Sequence, residues 1–353
     1  MTTDAGADAG TPDAGPPRET WVHVGSGNGR ISTWRLDADA GTLTRLGEAA
    51  GGANPSYLAF HPSQRRLYAV NETTPGQLSA FAVEADAGLT LLDRVSASGD
   101  GPAHLAVHPS GRFVAAANYG GGQVPVVALT AAGLGATVDV ETPGTNPHQV
   151  VFSADGRFAW VPCKGSDLVA QFRFDAATGQ LTPNAPPSVA TATGAGPRHL
   201  ALHPGGQWAF LLNELDSTLS SYAVAAAGTL SLVETKSTLP AGFTGTNTGA
   251  HVVVHPSGRF VYGSNRGDDS VVGFRVDEAT GRLTLVGHWK TGGARPRDFT
   301  LTPDGALLLV ANQSSGTVHA FRVDAATGAL TALGEVAAVN GPAFVGAVAW
   351  PPP

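Results

Sequence analysis

Apolar residues in this chain come in short runs of near-alternating character, each closed by a Gly, Pro, Asn or Asp turn. Alternation with period two reads as a half-buried strand rather than a helix. The clearest example is VVGFRVDEATGRLTLVG at 271–287, with siblings at 168–182 (LVAQFRFDAATGQLT) and 318–331 (VHAFRVDAATGALT). The Val-x-x-Phe-Arg-Val alternation followed by an Asp-x-x-Thr-Gly corner predicts a hairpin. A second pattern precedes each of these. It starts at a Pro or Gly, runs through a short apolar strand to a turn of the His-Pro-Ser-Gly-Arg type, and continues into another apolar strand that usually ends in Asn. It occurs at 54–72, 101–119, 146–164, 196–214, 248–266 and 295–313, and a truncated copy, GPAFVGAVAW, stands at 341–350.

The anchors are Pro55, Pro102, Pro147, Pro197, Gly249, Pro296 and Pro342, spaced 47, 45, 50, 52, 47 and 46 residues apart. Each complete unit holds four strands. Segment 21–48 supplies the last three strands of a unit and lacks the first; 341–350 supplies a first strand and lacks the rest. Ends that complement each other predict a closed ring, in which one sheet is shared by the two termini. The expected fold is therefore all-β: a seven-bladed β-propeller of four antiparallel strands per blade, about 28 strands in total. A solenoid would need capping units with polar outer faces, and closure also removes open sheet edges.

Length and composition then fall into place. The 353 residues include 46 Gly and 25 Pro, the two poorest helix formers, which argues against a helical bundle. Residues 1–19 repeat Asp-Ala-Gly without a large apolar side chain and are expected to be a disordered tail, leaving 20–353 as one propeller domain. The tail has neither the basic start nor the apolar stretch of a signal peptide. It fits a cytoplasmic protein, or the spacer of an exported lipoprotein if Met1 replaces a removed signal. No apolar run reaches the roughly 20 residues of a membrane span. A formal net charge of −7 gives no general drive toward nucleic acid. Cys163 is the single cysteine, so no internal disulfide forms and a cysteine-ligated metal site is not expected.

The repeat also separates scaffold from chemistry. Residues shared by most units are needed by the scaffold. These include the turn histidines His61, His108, His203 and His255, expected to pack or bond inside a blade corner. They also include the strand-end Asn71, Asn118, Asn213, Asn265 and Asn312, expected to bond to loops. Arg112, Arg157 and Arg259 read as surface or inter-blade contacts, and Cys163 as a small buried residue. Two sets vary instead. After the anchors come Ser56-Tyr57, Ala103-His104, His148-Gln149, Arg198-His199, Ala250-His251, Arg297-Asp298 and Ala343-Phe344. After the second-strand Asn or its equivalent come Glu72, Tyr119, Lys164, Glu214, Arg266 and Gln313. The second strand runs antiparallel to the first, so both sets should meet at one mouth of the central channel. Imidazoles, guanidiniums and carboxylates gathered in a concavity are what an active site requires. Arginines in an acidic protein point to a small anionic ligand, and His and Glu beside them supply acid–base groups. A metal held by His148, His251 and Glu214 is conceivable, but no ligand spacing demands it. There is no nucleophile elbow or phosphate loop, and GSGNGR at 25–30 precedes a strand rather than a helix.

At this point the chain resembles the seven-bladed propeller lactonases, among them propeller-type 6-phosphogluconolactonases and fungal carboxy-muconate cyclases. The resemblance rests on ANYGGGQV (117–124), NPHQVVFSADGRFAWVP (146–162), GPRHLALHPGGQWAFLLNELDST (196–218), HPSGRFVYGSNRGDDSV (255–271) and PRDFTLTPDGALLLVANQ (296–313). It spans about 21–350. It implies hydrolysis of a sugar-lactone ester without cofactor or metal, with His148, Arg198, Glu214 and Arg266 as active groups. Arg297 would be a further anion contact, and His199, His251, His104, Glu72 and Tyr119 would complete the substrate pocket. In this reading the arginines hold the anion and the developing oxyanion, and His148 or Glu214 activates water. The expected partner is a small anionic sugar lactone or related carboxylate, with no nucleic acid and a monomer favoured. The chain departs from the family pattern at Asn146, Cys163-Lys164, His251 and Asp298, all near the mouth. Two alternatives therefore stand beside the lactonase: a cycloisomerase or lactonase for another substrate, and a non-catalytic propeller that binds a ligand or protein.

Overall fold

A computed structural model describes residues 19–350. Its 28 strands form seven four-stranded antiparallel sheets. The expected tail lies outside the described residues except for Glu19. That residue belongs to the ordered chain instead: strand Glu19–Ser26 pairs from Glu19↔Trp350 onward with Pro342–Trp350, the innermost strand of the shared blade. The two termini thus close the ring as the half-units require, and Trp21 packs on Trp350 with ring centroids 5.5 Å apart.

No blade has a core of its own. Seven hydrophobic clusters fill the wedges between neighbouring blades. In one wedge, Phe113, Val124 and Val126 of one blade meet Val150, Val161 and Phe172 of the next. Closure is therefore a condition of burial, since an open ring would leave two half-wedges wet.

The turn histidines serve this closure, and here the expectation of a bond within a blade corner is corrected. Each reaches across to the glycine of the next unit's turn. His61 Nε2 lies 3.0 Å from Gly111 O, His108 Nε2 2.8 Å from Gly156 O, and His255 Nε2 3.2 Å from Gly305 O. Glycine is required at the receiving end: Gly156 sits at φ 71°, and a Cβ there would fall 2.4 Å from His108 Nε2. So His-Pro-Ser-Gly is two half-signals, each completed by the neighbouring unit. Gln64 fills the Gly position in the blade after the shared one, whose inner strand has Val348 where other units place the turn histidine, whereas Gly206 is kept although Ser153 precedes it. The strand-end asparagines bond to loops as expected, mostly to the crossover that enters their own blade. Asn71 donates to Gly51 O at 2.8 Å, Asn118 to Ala97 O at 2.7 Å and Asn265 to Thr238 O at 2.8 Å. Arg259 reaches Ala325 O and Ala326 O of the neighbouring blade.

Candidate active site

One backbone bond, repeated in every blade, builds the mouth. The residue after the second-strand Asn donates its N–H to the carbonyl of the residue before the anchor. The pairs are Glu72→Asn54, Tyr119→Gly101, Lys164→Asn146, Glu214→Gly196, Arg266→Thr248, Gln313→Arg295 and, in the shared blade, Gly27→Gly341. The two variable sets therefore meet at one end of the channel, as the antiparallel strands predict.

The anchor itself sits at a bulge. Pro197 pairs with Asn213 and His199 with Leu212, which leaves Arg198 as an extra residue. Arg297 is the extra residue between Pro296 and Asp298, and Ala103 between Pro102 and His104. A bulge re-aims the inserted side chain. Two rings result. The bulge ring comprises Ser56, Ala103, His148, Arg198, Ala250, Arg297 and Ala343. The belt comprises Tyr57, His104, Gln149, His199, His251, Asp298 and Phe344.

The belt is stitched from blade to blade. Gln149 Oε1 accepts from Leu200 N at 2.6 Å, Asp298 Oδ2 from Val345 N at 2.9 Å, and His104 Nδ1 from Val150 N at 3.5 Å. Tyr57 packs on His104, Phe344 and His199, with centroids 4.0, 4.8 and 6.1 Å apart. His199 Nδ1 lies 2.6 Å from His251 Nδ1, and its Nε2 faces Arg198 NH1 at 3.3 Å. Three histidines expected to touch substrate, His104, His199 and His251, are thus buried in this belt with ring nitrogens engaged in it. Burial, reinforced by neighbouring positive groups, drives His104 and His199 well below the ordinary imidazole range. Burial and Arg198 bring His251 to about 3. All three are neutral at neutral pH. Between the two rings remains a hollow of about 10 Å³, lined by residues that include Tyr57, Arg198, Arg297 and Asp298.

The bulge ring and the post-Asn set carry the charge. Glu214 is the hub. Its Oε1 lies 2.6 Å from Lys164 Nζ; its Oε2 lies 3.1 Å from Arg198 Nε and 3.2 Å from Arg266 NH2. Burial alone would raise the Glu214 carboxyl, but Arg198, Arg266 and Lys164 outweigh it and the net shift is downward. Arg198 is fixed further by donating NH1 to Ala250 O, and Arg266 by donating NH2 to Gly249 O at 2.9 Å. Burial, then the nearby Arg266 and Arg297, bring Arg198 down to about 9, which leaves it a cation at neutral pH. Arg297 and Glu72 form a looser, more open pair at 3.7 Å. These ion pairs join four cations to two carboxylates, an excess of two positive charges within this cluster.

His148 stands beside this cluster, its ring packed edge-on against Tyr119 (5.4 Å) and His199 (5.1 Å). Its Nδ1 is buried and has no hydrogen-bond partner among the described residues. Burial, with Arg198 and Arg297, holds it well below the ordinary imidazole range. His148, His251 and Glu214 do not form a metal-holding group; no such group occurs among the described residues. A far larger hollow, about 920 Å³, lies at the other end of the channel beside the turns at 153–157 and 203–207. Its charged groups Asp155 and Arg157 pair with each other at 2.6 Å on the exposed rim, so size there is not matched by converging chemistry. Cys163 is buried and its thiol is pushed up to about 12 by burial, the state of an inert packing residue.

A family model described as "Lactonase, 7-bladed beta-propeller" matches residues 21–347. The chain belongs to this seven-bladed propeller lactonase family. Relatives include the 6-phosphogluconolactonase of Serratia proteamaculans, 32% identical over 275 residues that cover 77% of this chain and 81% of that protein. The 6-phosphogluconolactonase of Yersinia pestis is 33% identical over 283 residues, covering 79% and 83%. Among solved structures, the periplasmic gluconolactonase of Pseudomonas aeruginosa superposes with a TM-score of 0.88 at 32% identity, covering 94% of this chain and all of that one.

Within this lactonase chain, Lys164, Gln149 and Asp298 were placed at the mouth by the two variable sets but were given no substrate or catalytic role from sequence. Lys164 follows Cys163 at a position where the other blades place a residue after Asn, and that equivalence is the signal that marks it. Its ammonium lies 5.6 Å from the Tyr119 ring as well as on Glu214. No helix among the described residues is long and apolar enough to cross a membrane.

Proposed function

We propose that this protein hydrolyses the ring ester of an anionic sugar lactone, with 6-phosphogluconolactone the first substrate to try. The observation that carries the reading is the pair of fixed cations, Arg198 and Arg266, set by Glu214 beside a buried imidazole with a free nitrogen. Both Glu214 oxygens are engaged by cations, so Glu214 is a poor base and serves to orient the guanidiniums. His148 is neutral and its Nδ1 lone pair or proton is uncommitted. In this scheme His148 takes a proton from water as the water oxygen attacks the lactone carbonyl carbon. The carbonyl electrons move onto oxygen, and Arg198 and Arg266 stabilise that oxyanion. When the oxyanion collapses, the ring C–O bond breaks and protonated His148 returns its proton to the departing alkoxide, giving the open hydroxy acid. The excess of two positive charges suits a phosphorylated substrate, and Lys164 and Arg297, the more exposed cations, would meet the phosphate.

A second reading is favoured by one finding: the structural neighbour from Pseudomonas aeruginosa is a periplasmic gluconolactonase. An exported protein would meet an unphosphorylated lactone, whereas a cytoplasmic one would meet the phosphorylated form. The decisive measurement is hydrolysis above the spontaneous rate, by proton release, on a panel of 6-phosphogluconolactone, gluconolactone and muconate-derived lactones. Loss of about a hundredfold or more in kcat/KM is expected for His148→Ala and for Arg198→Ala. Activity at the spontaneous rate on every lactone, or full activity in both variants, would overturn the reading in favour of a binding propeller.

A further inference from the structure

The hollow between the two rings, about 10 Å³, has room for about one water. A lactone must therefore lie on top of the bulge ring, with its far end directed elsewhere. Two larger hollows open between blades at this end of the channel. One, of about 310 Å³, is lined by residues 119–122 and by 142 and 144–146 of the crossover into the next blade. The other, of about 600 Å³, has the equivalent place beside the shared blade and is lined by 27–30, 50 and 52–54. Both follow from a glycine-rich turn. Gly122 and Gly29 each stand at φ 85°, where a side chain is strained, and the space above the turn is left open.

The two hollows differ in what borders them. Beside the shared blade, the residue that donates its N–H to the pre-anchor carbonyl is Gly27, which offers no side chain to the mouth. The one cation in that lining, Arg30, lies 3.7 Å from Glu48. The smaller hollow instead joins the charged cluster through Tyr119. That ring packs on His148 with centroids 5.4 Å apart and lies 5.6 Å from the Lys164 ammonium. Asn146 fixes the wall: its Nδ2 donates to Tyr119 O at 2.9 Å, and its carbonyl accepts from the Lys164 N–H at 3.0 Å. A single side chain, Tyr119, thus borders both the hollow and the imidazole with the free nitrogen. Hydrogen-bonding capacity is also to spare. An ammonium has three N–H donors, and Lys164 gives one to Glu214 Oε1 at 2.6 Å. Thr142 and Thr145 are exposed on the wall of the hollow, and their hydroxyls bond to nothing among the described residues.

We propose that the hollow beside Tyr119 is the subsite for the phosphate-bearing end of the lactone, with Lys164, across the Tyr119 ring, as its charge contact. The reacting carbonyl then lies over His148, Arg198 and Arg266, and the rest of the sugar chain passes Tyr119 into the hollow. The threonine hydroxyls, which both donate and accept, suit phosphate oxygens and sugar hydroxyls alike. Lys164 becomes a specificity-determining residue: it separates phosphorylated from unphosphorylated lactones without taking part in the proton transfers.

The inference rests on the reading of an anionic sugar lactone as substrate, and binding without turnover separates the two. Calorimetric titration compares 6-phosphogluconate with gluconate. The wild type should bind the phosphorylated acid about tenfold or more tightly. That preference should fall to about twofold or less in Lys164→Met, and in Thr142→Trp and Thr145→Trp, where an indole fills the hollow. Ala53→Trp, which places the same indole in the hollow beside the shared blade, should keep it. In turnover, Lys164→Met should raise KM about tenfold for 6-phosphogluconolactone and by no more than about twofold for gluconolactone. If Lys164 served only to hold Glu214, both substrates would suffer alike. Equal changes for both, or a preference kept in both tryptophan variants, would overturn the proposal. So would a wild type that binds the two acids equally or binds neither. A wild type that hydrolyses no lactone but shows this pattern of binding would sink the catalytic reading and leave the subsite standing.

Discussion

The two ends of the channel use the same residue type in opposite ways. At the turn end, His61, His108 and His255 are scaffold: each bonds the next blade's glycine carbonyl, and burial lowers its pKa against that bond, which raises it. At the mouth, His104, His148, His199 and His251 pack on each other beside guanidiniums, and the nearest ring-nitrogen contact of His199 is another imidazole, His251, rather than a backbone carbonyl. Uniformity across units marks the first end as structure, and variation marks the second as chemistry. The repeat itself is the control: His148 is the single histidine of its ring, whereas the turn histidines recur from blade to blade, and so do His104, His199 and His251 at one belt position, where they are buried.

The strongest way to break this contrast is to remove the hub of the mouth. Glu214→Ala leaves Lys164, Arg198 and Arg266 without their carboxylate in a buried setting, and a loss of about 3–5 kcal/mol is expected. The same charge logic sets a pH dependence. The folded Glu214 carboxyl is lowered, so its contribution is present above the unfolded value near 4.5 and is lost as pH falls through the folded value. Urea unfolding at pH 7 and pH 4 should show Glu214→Gln with a flatter acid limb than wild type. An unchanged midpoint in Glu214→Ala would show that the three cations are held by water instead.

How much of this was legible in the sequence follows from the same contrast. The anchors, the complementary half-units and the meeting of the two variable sets were all readable, because each depends on period and chain direction. The separation of Arg198 from His199 was not. Adjacent strand residues should simply point to opposite faces, but the bulge between Pro197 and His199 interrupts that alternation. Nothing in Gly-Pro-Arg-His reveals which of the two side chains reaches the mouth. The hub role of Glu214 was likewise hidden, since it depends on Lys164, Arg198 and Arg266 converging from other strands.

A smaller effect separates the imidazoles of the two ends by pH. The mouth histidines are neutral in the fold and take up protons on unfolding once pH is below about 6.5. The unfolded state then binds more protons, so stability falls as pH falls from there. Each such group contributes a slope of up to about 1.4 kcal/mol per pH unit. His104→Gln should therefore flatten the stability profile between about pH 6.5 and 4.5 more than His61→Gln does. Equal flattening would erase the distinction between the ends.

Within the mouth, the belt and the bulge ring can be separated by Gln149→Ala. The substitution leaves the N–H of Leu200 without its acceptor in a buried position, at a cost of about 1–3 kcal/mol. Because the Gln149 side chain is spent on Leu200 rather than on the charged cluster, kcat/KM should not change, whereas the bulge-ring variants lose activity. A Gln149→Ala enzyme of normal stability and reduced kcat/KM would place this side chain among the substrate contacts instead.

The finest comparison lies entirely at the turn end, between two glycines with nearly the same backbone. Gly156 and Gly206 have φ of 71° and 76°. Alanine at either position meets the same left-handed penalty, about 1–2 kcal/mol. Only Gly156 receives a histidine. A Cβ there falls 2.4 Å from His108 Nε2, while a Cβ on Gly206 meets nothing within 4 Å, because the preceding unit offers Ser153 in place of a histidine. Gly156→Ala must therefore displace His108, adding about 1–2 kcal/mol over Gly206→Ala. Thermal or urea midpoints of the two variants isolate that difference, and kcat/KM should be the same in both. If the two midpoints coincide, the glycines of these turns are kept for their backbone angle alone, and the histidine seated against the next blade contributes nothing to closing the ring.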